Sequence, residues 1–173
     1  MDYFPYSFLG EIALHGVGVA RVLTYHVLFL PGSLMHELPF DRYPRLRVEG
    51  EVADIPVRGA WMPVGDGRRY FIVSPEVRAG ADVELGDRVT MRFRVDDQDY
   101  VEVPPALATA LQHDADLGTI WAALSSGKKR MFAHHVAGAK TAPTQERRVA
   151  DAAEALRLGI TLRDLATRRK RGG

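Results

Sequence analysis

The sequence predicts an α+β chain: a small closed or split β-barrel of about six strands over residues 1–103, then a C-terminal helical unit over 104–173 that ends in a basic tail. Two observations predict it. Short segments that alternate apolar and charged residues recur as far as Val95, each broken by a turn rich in Gly, Asp or Pro. At Pro104-Pro105 that alternation stops, and Ala and Leu spaced by three and four take over, the period of helices with one buried face.

Tyr6 to Leu14 reads as the first strand and Ala20 to Leu30 as the second, with Gly16 and Gly18 as turn residues between them. Pro31-Gly32 stops the second strand, and Leu34 to Leu38 forms a helical turn before the chain extends again at Arg45. Leu46 to Val52 alternates apolar and charged residues, Ala53-Asp54 makes a hairpin turn, and Ile55 to Met62 returns. Pro56 in that return strand cannot donate to a ladder, so it needs an edge or a bulge. Gly65-Asp66-Gly67 turns the chain into Arg69 to Val73. Ser74 as N-cap and Pro75 at the first helical position predict one or two helical turns through Arg78. Leu85-Gly86-Asp87 reverses the chain into Arg88 to Val95, the clearest strand, with Val89, Met91, Phe93 and Val95 on one face. Helices follow at about Ala106 to Gln112, Ala115 to Leu124, Gly127 to Ala139 and Thr144 to Leu158. Thr161 and Asp164 resemble a capping box for a last short helix, and Arg168 to Gly173 reads as a frayed basic tail.

The composition sets limits. At 173 residues and 46% hydrophobic, the chain is long enough for a core without covalent staples, and it has no cysteine to supply disulfides, thiolate nucleophiles or Cys-type zinc sites. That suits a reducing cytosol. The uncharged stretch Val22 to Met35 is too short to span a bilayer, and Asp2 and Pro5 give the start no signal-peptide pattern. The net charge of +1 hides an asymmetry, because residues 1–120 hold 11 Lys or Arg against 18 Asp or Glu, while 121–173 hold 12 against 4. Such a split means either parts that attract one another or a basic end that meets an anionic partner.

No segment carries a recognisable catalytic or cofactor motif. His134 and His135 are adjacent on a predicted helix and point about 100° apart, so they cannot chelate one ion together. His15, His26, His36 and His113 form no spaced pair, and Asp96, Asp97, Asp99 and Glu102 lack the glycine and the bidentate Glu of a calcium loop. No metal or cofactor is therefore expected. Gly65-x-Gly67 lacks the third glycine of a dinucleotide fingerprint, and Ser126-Gly127-Lys128-Lys129 lacks the first glycine of a phosphate loop. Trp61 and Trp121 fit a core better than a pocket. One constellation stands out. With Thr144 as the cap of the fourth helix, Arg147 and Arg148 fall in its first turn, where the helix dipole disfavours cations, and Lys140 lies just before. Cations gathered there are tolerable beside an anion, either a carboxylate of the acidic barrel or an external ligand. Lys128, Lys129 and Arg130 form a second candidate basic patch.

Arg47 to Leu111 resembles the domain-of-unknown-function family 1905, on Val48-Glu49-Gly50, Ile55-Pro56-Val57-Arg58, the Gly65 and Gly67 turn, Val77-Arg78, Gly86-Asp87-Arg88-Val89, Asp96, Pro105, Leu107 and Ala110-Leu111. Leu124 to Leu156 resembles the YdeI/OmpD-associated, or bacteriocin-protection, domain, on Leu124-Ser125, Gly127-Lys128-Lys129-Arg130, Ala139-Lys140, Thr144 and Arg147-Arg148-Val149. Two positions depart from the second pattern: Gln145 stands where an Arg is usual, and His135 where a Trp is frequent. The resemblance implies a bacterial cytosolic protein, linked by family name to resistance against antimicrobial peptides, with a barrel related in shape to swapped-hairpin DNA-binding barrels. It implies no biochemical activity. The expected function is a non-enzymatic module that binds a small anion, a peptide or a protein. A nucleic-acid-binding protein using the basic end is the alternative, and an enzyme using Asp66, Asp87 or Asp96 beside an Arg is the third reading.

Overall fold

The structure is a computed structural model that describes residues 3–173, so Asp2 lies outside the described residues. The chain divides into two compact units, residues 1–98 and 99–173.

The first unit holds seven antiparallel strands: β1 (Tyr6–Glu11), β2 (Ala13–Val17), β3 (Leu23–Phe29), β4 (Leu46–Val52), β5 (Ile55–Pro63), β6 (Arg69–Ile72) and β7 (Arg88–Val95), with short helices α1 (Gly32–Met35) and α2 (Pro75–Ala81) between them. Their order in the sheet is β1-β7-β4-β5-β6-β3-β2. The two ends of that order are consecutive in the chain, separated by Ile12 alone, and this curls the sheet into a barrel-like shell.

Ile12 also accounts for the largest departure from the expected strands. Its side chain is fully buried, its N–H donates to Asp87 O at 2.9 Å and its carbonyl accepts from Gly86 N at 2.8 Å. The segment bends there, so that β1 pairs with β7 and β2 with β3. Gly16 therefore lies inside β2 opposite Thr24, and the turn comes later, over residues 18–22.

The other turns follow local chemistry. Ala53 and Asp54 both take left-handed φ values, 47° and 63°, the geometry that matches a tight hairpin to the twist of its strands. Pro56 pairs with Glu51 on β4, in a stretch of β5 that β6 does not reach, since β6 meets only Met62 and Pro63. Its missing N–H thus faces an open edge. Ser74 Oγ accepts from Val77 N to cap α2, which runs past Arg78 to Ala81.

The alternation of β4 and β7 sorts the barrel into an apolar inside and an ionic outside. Leu46, Val48, Val52, Val89, Met91 and Phe93 are buried. Trp61 sits at their centre, with ring centroids of Phe8, Phe71 and Phe93 at 6.0, 5.6 and 5.5 Å, and its Nε1–H finds no partner.

The second unit is helical: α3 (Pro105–His113), α4 (Ala115–Ala122), α5 (Ser126–Ala137), α6 (Ala142–Leu158) and α7 (Leu162–Arg171). Its core joins Leu107, Leu117, Phe132, Val136, Leu156 and Leu165 to the small Ala152, Ala153 and Ala155, which let the other helices approach α6 closely. Asp114 caps α4 and Ser125 caps α5. Thr161 and Asp164 form the expected capping box. The expected frayed tail is instead helical to Arg171, because Arg169 reaches back to Asp151 and Glu154 of α6 at 2.7 and 2.5 Å.

Candidate functional site

The cap of α6 is Thr141, whose side chain accepts from Thr144 N, with Pro143 inside the first turn. This corrects the reading of Thr144 as cap. Arg147 and Arg148 fall in the second turn, where the dipole conflict is gone. Arg148 Nη1 donates to the carbonyl of His135 at 2.8 Å and ties α6 to the end of α5, while Lys140 and Arg147 are exposed. Neither has an ion pair within its own unit. The second basic group also disperses. Successive residues of a helix point about 100° apart, so Arg130 turns to Tyr100 O, at 3.0 Å, while Lys128 stands exposed on another face. Lys129 is half-buried.

Two arrangements that sequence reasoning missed lie in the helical unit. The first is an apolar pocket of about 270 Å³. The buried Phe132 of α5 and Ala155 and Leu156 of α6 form its floor, and Ile120, Leu124, the more exposed Met131 of α5, Gly159 and Ile160 line its walls. It exists because α6 stops at Gly159, in the left-handed conformation at φ 63°, and the chain turns away through Ile160 into α7. Its rim is polar: Lys128 of α5, Thr161 at the cap of α7 and Asp164 in that helix's first turn. Asp164 is already engaged, accepting from the hydroxyl of Thr161 at 2.8 Å and from its N–H at 3.4 Å. Lys128 has no carboxylate in ion-pair contact among the described residues.

The second is a chain of charges on α5, α6 and α7. His135 Nε2 is buried without a hydrogen-bond partner, 4.0 Å from Asp151 Oδ2, and Asp151 is held in turn by Arg169. Burial pushes the His135 imidazole below its ordinary pKa, the charges of Arg148 and His134 push the same way, and Asp151 opposes them. A histidine with a depressed folded pKa contributes stability that is present above its unfolded value, near 6.5, and is lost as pH falls through the folded value. Thermal melts between about pH 7.5 and pH 5 should therefore show the protein losing stability toward acid, and His135→Leu should flatten that slope. An unchanged slope in the variant would leave His135 without a part in it.

The barrel presents an ionic surface. Glu49 on β4 is gripped by Arg94 of β7 and by Arg58 of β5 at 2.6 Å, and Arg58 also meets Asp96 at 3.0 Å. The Arg94 hydrogen bond, with that of Arg58, holds the Glu49 carboxyl below the usual carboxylate range against the effect of burial. Beside it, Arg92 bridges Glu51 and Asp54 at 2.7 and 2.8 Å. An open depression of about 440 Å³ lies over this lattice, between Tyr3, Phe4, Glu49, Pro56 and Arg58. Its charges already neutralise one another, so a ligand there would have to break existing pairs.

The carboxylates proposed for acid-base work hold structure. Asp66 accepts from Arg68 N and Nε at 3.0 and 2.8 Å, and Asp87 accepts from Glu84 N at 2.8 Å. Among the described residues no three His, Asp or Glu side chains converge as metal ligands. Trp61 lies in the barrel core and Trp121 packs half-buried against the helical one. No helix among the described residues is long and apolar enough to cross a membrane.

Comparison with known proteins finds two families in the order the resemblance implied. Residues 15–93 match the domain of unknown function 1905, and residues 100–159 match the family described as bacteriocin-protection, YdeI or OmpD-associated. No curated protein and no solved structure matches. The strands from the end of β2 to β7 carry the first match, β1 lying before it, and α3 to α6 carry the second. The chain is thus built of a stretch similar to family 1905 followed by one similar to the YdeI/OmpD-associated family.

Proposed function

We propose that the chain is a non-enzymatic binding module of the bacterial cytosol whose ligand enters the pocket formed by α5, α6 and α7, and that it serves the bacteriocin protection for which the second family is described. The observation that carries the reading is the pocket itself: a concave, apolar floor with a few polar groups at its rim, the usual make-up of a small-ligand site, though slightly smaller than the usual size range. The barrel depression supports binding less well, because its charges are mutually paired. The nucleic-acid alternative also has less support. Several cations of the helical unit are already engaged, Arg157 with Asp114, Arg169 with Asp151 and Glu154, and Arg130 and Arg148 with backbone carbonyls.

A neutral dye that brightens in apolar surroundings, N-phenylnaphthylamine, tests the reading. The protein should bind it saturably at one site. Met131→Glu should abolish that binding without lowering the melting temperature by more than a surface change does, because Met131 is 42% exposed at the pocket wall. Absence of a saturable signal, or undiminished binding by the variant, removes the pocket as the site of function.

A further inference from the structure

We propose that the pocket takes a small anionic amphiphile, an apolar chain or ring carrying one carboxylate, with Lys128 as its counter-ion. The inference rests on the pocket being a binding site, as argued above, and adds the chemistry of what enters it. Phe132, Leu156 and Ile120 offer nothing to a polar group, so the part of a ligand that reaches the floor must be apolar. The polar end must then stay at the rim, where three groups are available, and their states decide its sign.

Lys128 is exposed and meets no carboxylate among the described residues, so its ammonium is available. Asp164 is not equivalent to it, because its Oδ2 already accepts from both the hydroxyl and the N–H of Thr161 in the capping box, which leaves Oδ1 alone to meet a ligand. An anionic head is drawn by Lys128. A cationic head meets like charge at Lys128 and must share Asp164 with the capping box, and a neutral head leaves Lys128 as it was.

Displacement of N-phenylnaphthylamine from the full chain by three ligands of equal length, octanoate, octanol and octylammonium, tests the inference at neutral pH. Octanoate should displace the dye at the lowest concentration. Lys128→Gln should weaken octanoate by about fivefold, the scale of one exposed ion pair, and leave octanol unchanged. Because Lys128 is exposed and without an ion-pair partner, that variant should melt like the wild type. A preference for octylammonium, equal displacement by all three, or a Lys128→Gln variant that keeps its octanoate affinity would overturn the anionic assignment while leaving the pocket a site. A dye that does not bind at all would overturn the pocket reading itself.

Discussion

Trp61→Ala should lower the stability of the barrel unit by about 3–5 kcal/mol, as large-to-small changes of buried aromatics do, and this is a large share of the about 5–15 kcal/mol that holds a domain folded. Trp61 is fully buried, and its indole touches the rings of Phe8, Phe71 and Phe93 from three directions. Those three come from β1, β6 and β7, so the cavity would loosen strands that are far apart in the chain. Trp61→Phe should be much milder. It keeps an aromatic ring at the centre and removes the Nε1–H, which is buried without a partner and destabilises the wild type. Urea unfolding of the two variants, followed by circular dichroism, gives the comparison. Equal costs for Ala and Phe would show that packing around the indole is not what holds the barrel.

The parts of this fold that were legible in the sequence are those settled by neighbours along the chain. Arg88 to Val95 alternates because one face is buried, and the structure places Val89, Met91 and Phe93 inside. The Ser74-Pro75 start of α2 and the Thr161-Asp164 box were readable for the same reason, since cap and acceptor lie within one turn. The cap of α6 was misplaced because Thr141 and Thr144 are both competent, and the deciding element, Pro143, prefers the first turn of the helix to the position before it. The bend at Ile12 left no local signal. Leu14, His15 and Val17 continue a plausible strand, and only the partners Gly86 and Asp87, remote in sequence, reveal why the direction changes.

The candidate site was less legible still, because it depends on which helices meet. Lys128 and Asp164 face one pocket although more than a helix of sequence separates them. Each was visible alone, Lys128 as part of a basic run and Asp164 as a cap, but nothing along the chain says that Phe132 and Leu156 form a floor between them. The charge asymmetry was also readable as a total and not as a pattern. Much of it resolves into pairs inside each unit, Arg58, Arg92 and Arg94 with barrel carboxylates and Arg157 and Arg169 with helical ones.

Gly50→Val should prevent the barrel from forming, and Gly50→Ala should cost more than the about 1–3 kcal/mol usual for overpacking. Gly50 of β4 lies opposite Phe93 of β7, and a Cβ placed on it would stand 2.0 Å from Arg92 O and 2.7 Å from Phe93 Cα. Both obstacles are backbone, so no side-chain rotation relieves them. The two strands would have to separate, which breaks the ladder that positions Glu49 against Arg94 and Glu51 against Arg92. Gly65 is the internal control. Nothing lies within 4 Å of a Cβ there and its φ is not positive, so Gly65→Ala should be neutral or stabilising by up to about 1 kcal/mol through the lost freedom of the unfolded chain. Thermal and urea melts of the two alanine variants separate a close strand contact from a general effect of glycine replacement. If they melt alike, β4 and β7 do not approach as closely as the register requires, and the ionic lattice on their outer face loses its geometric basis as well.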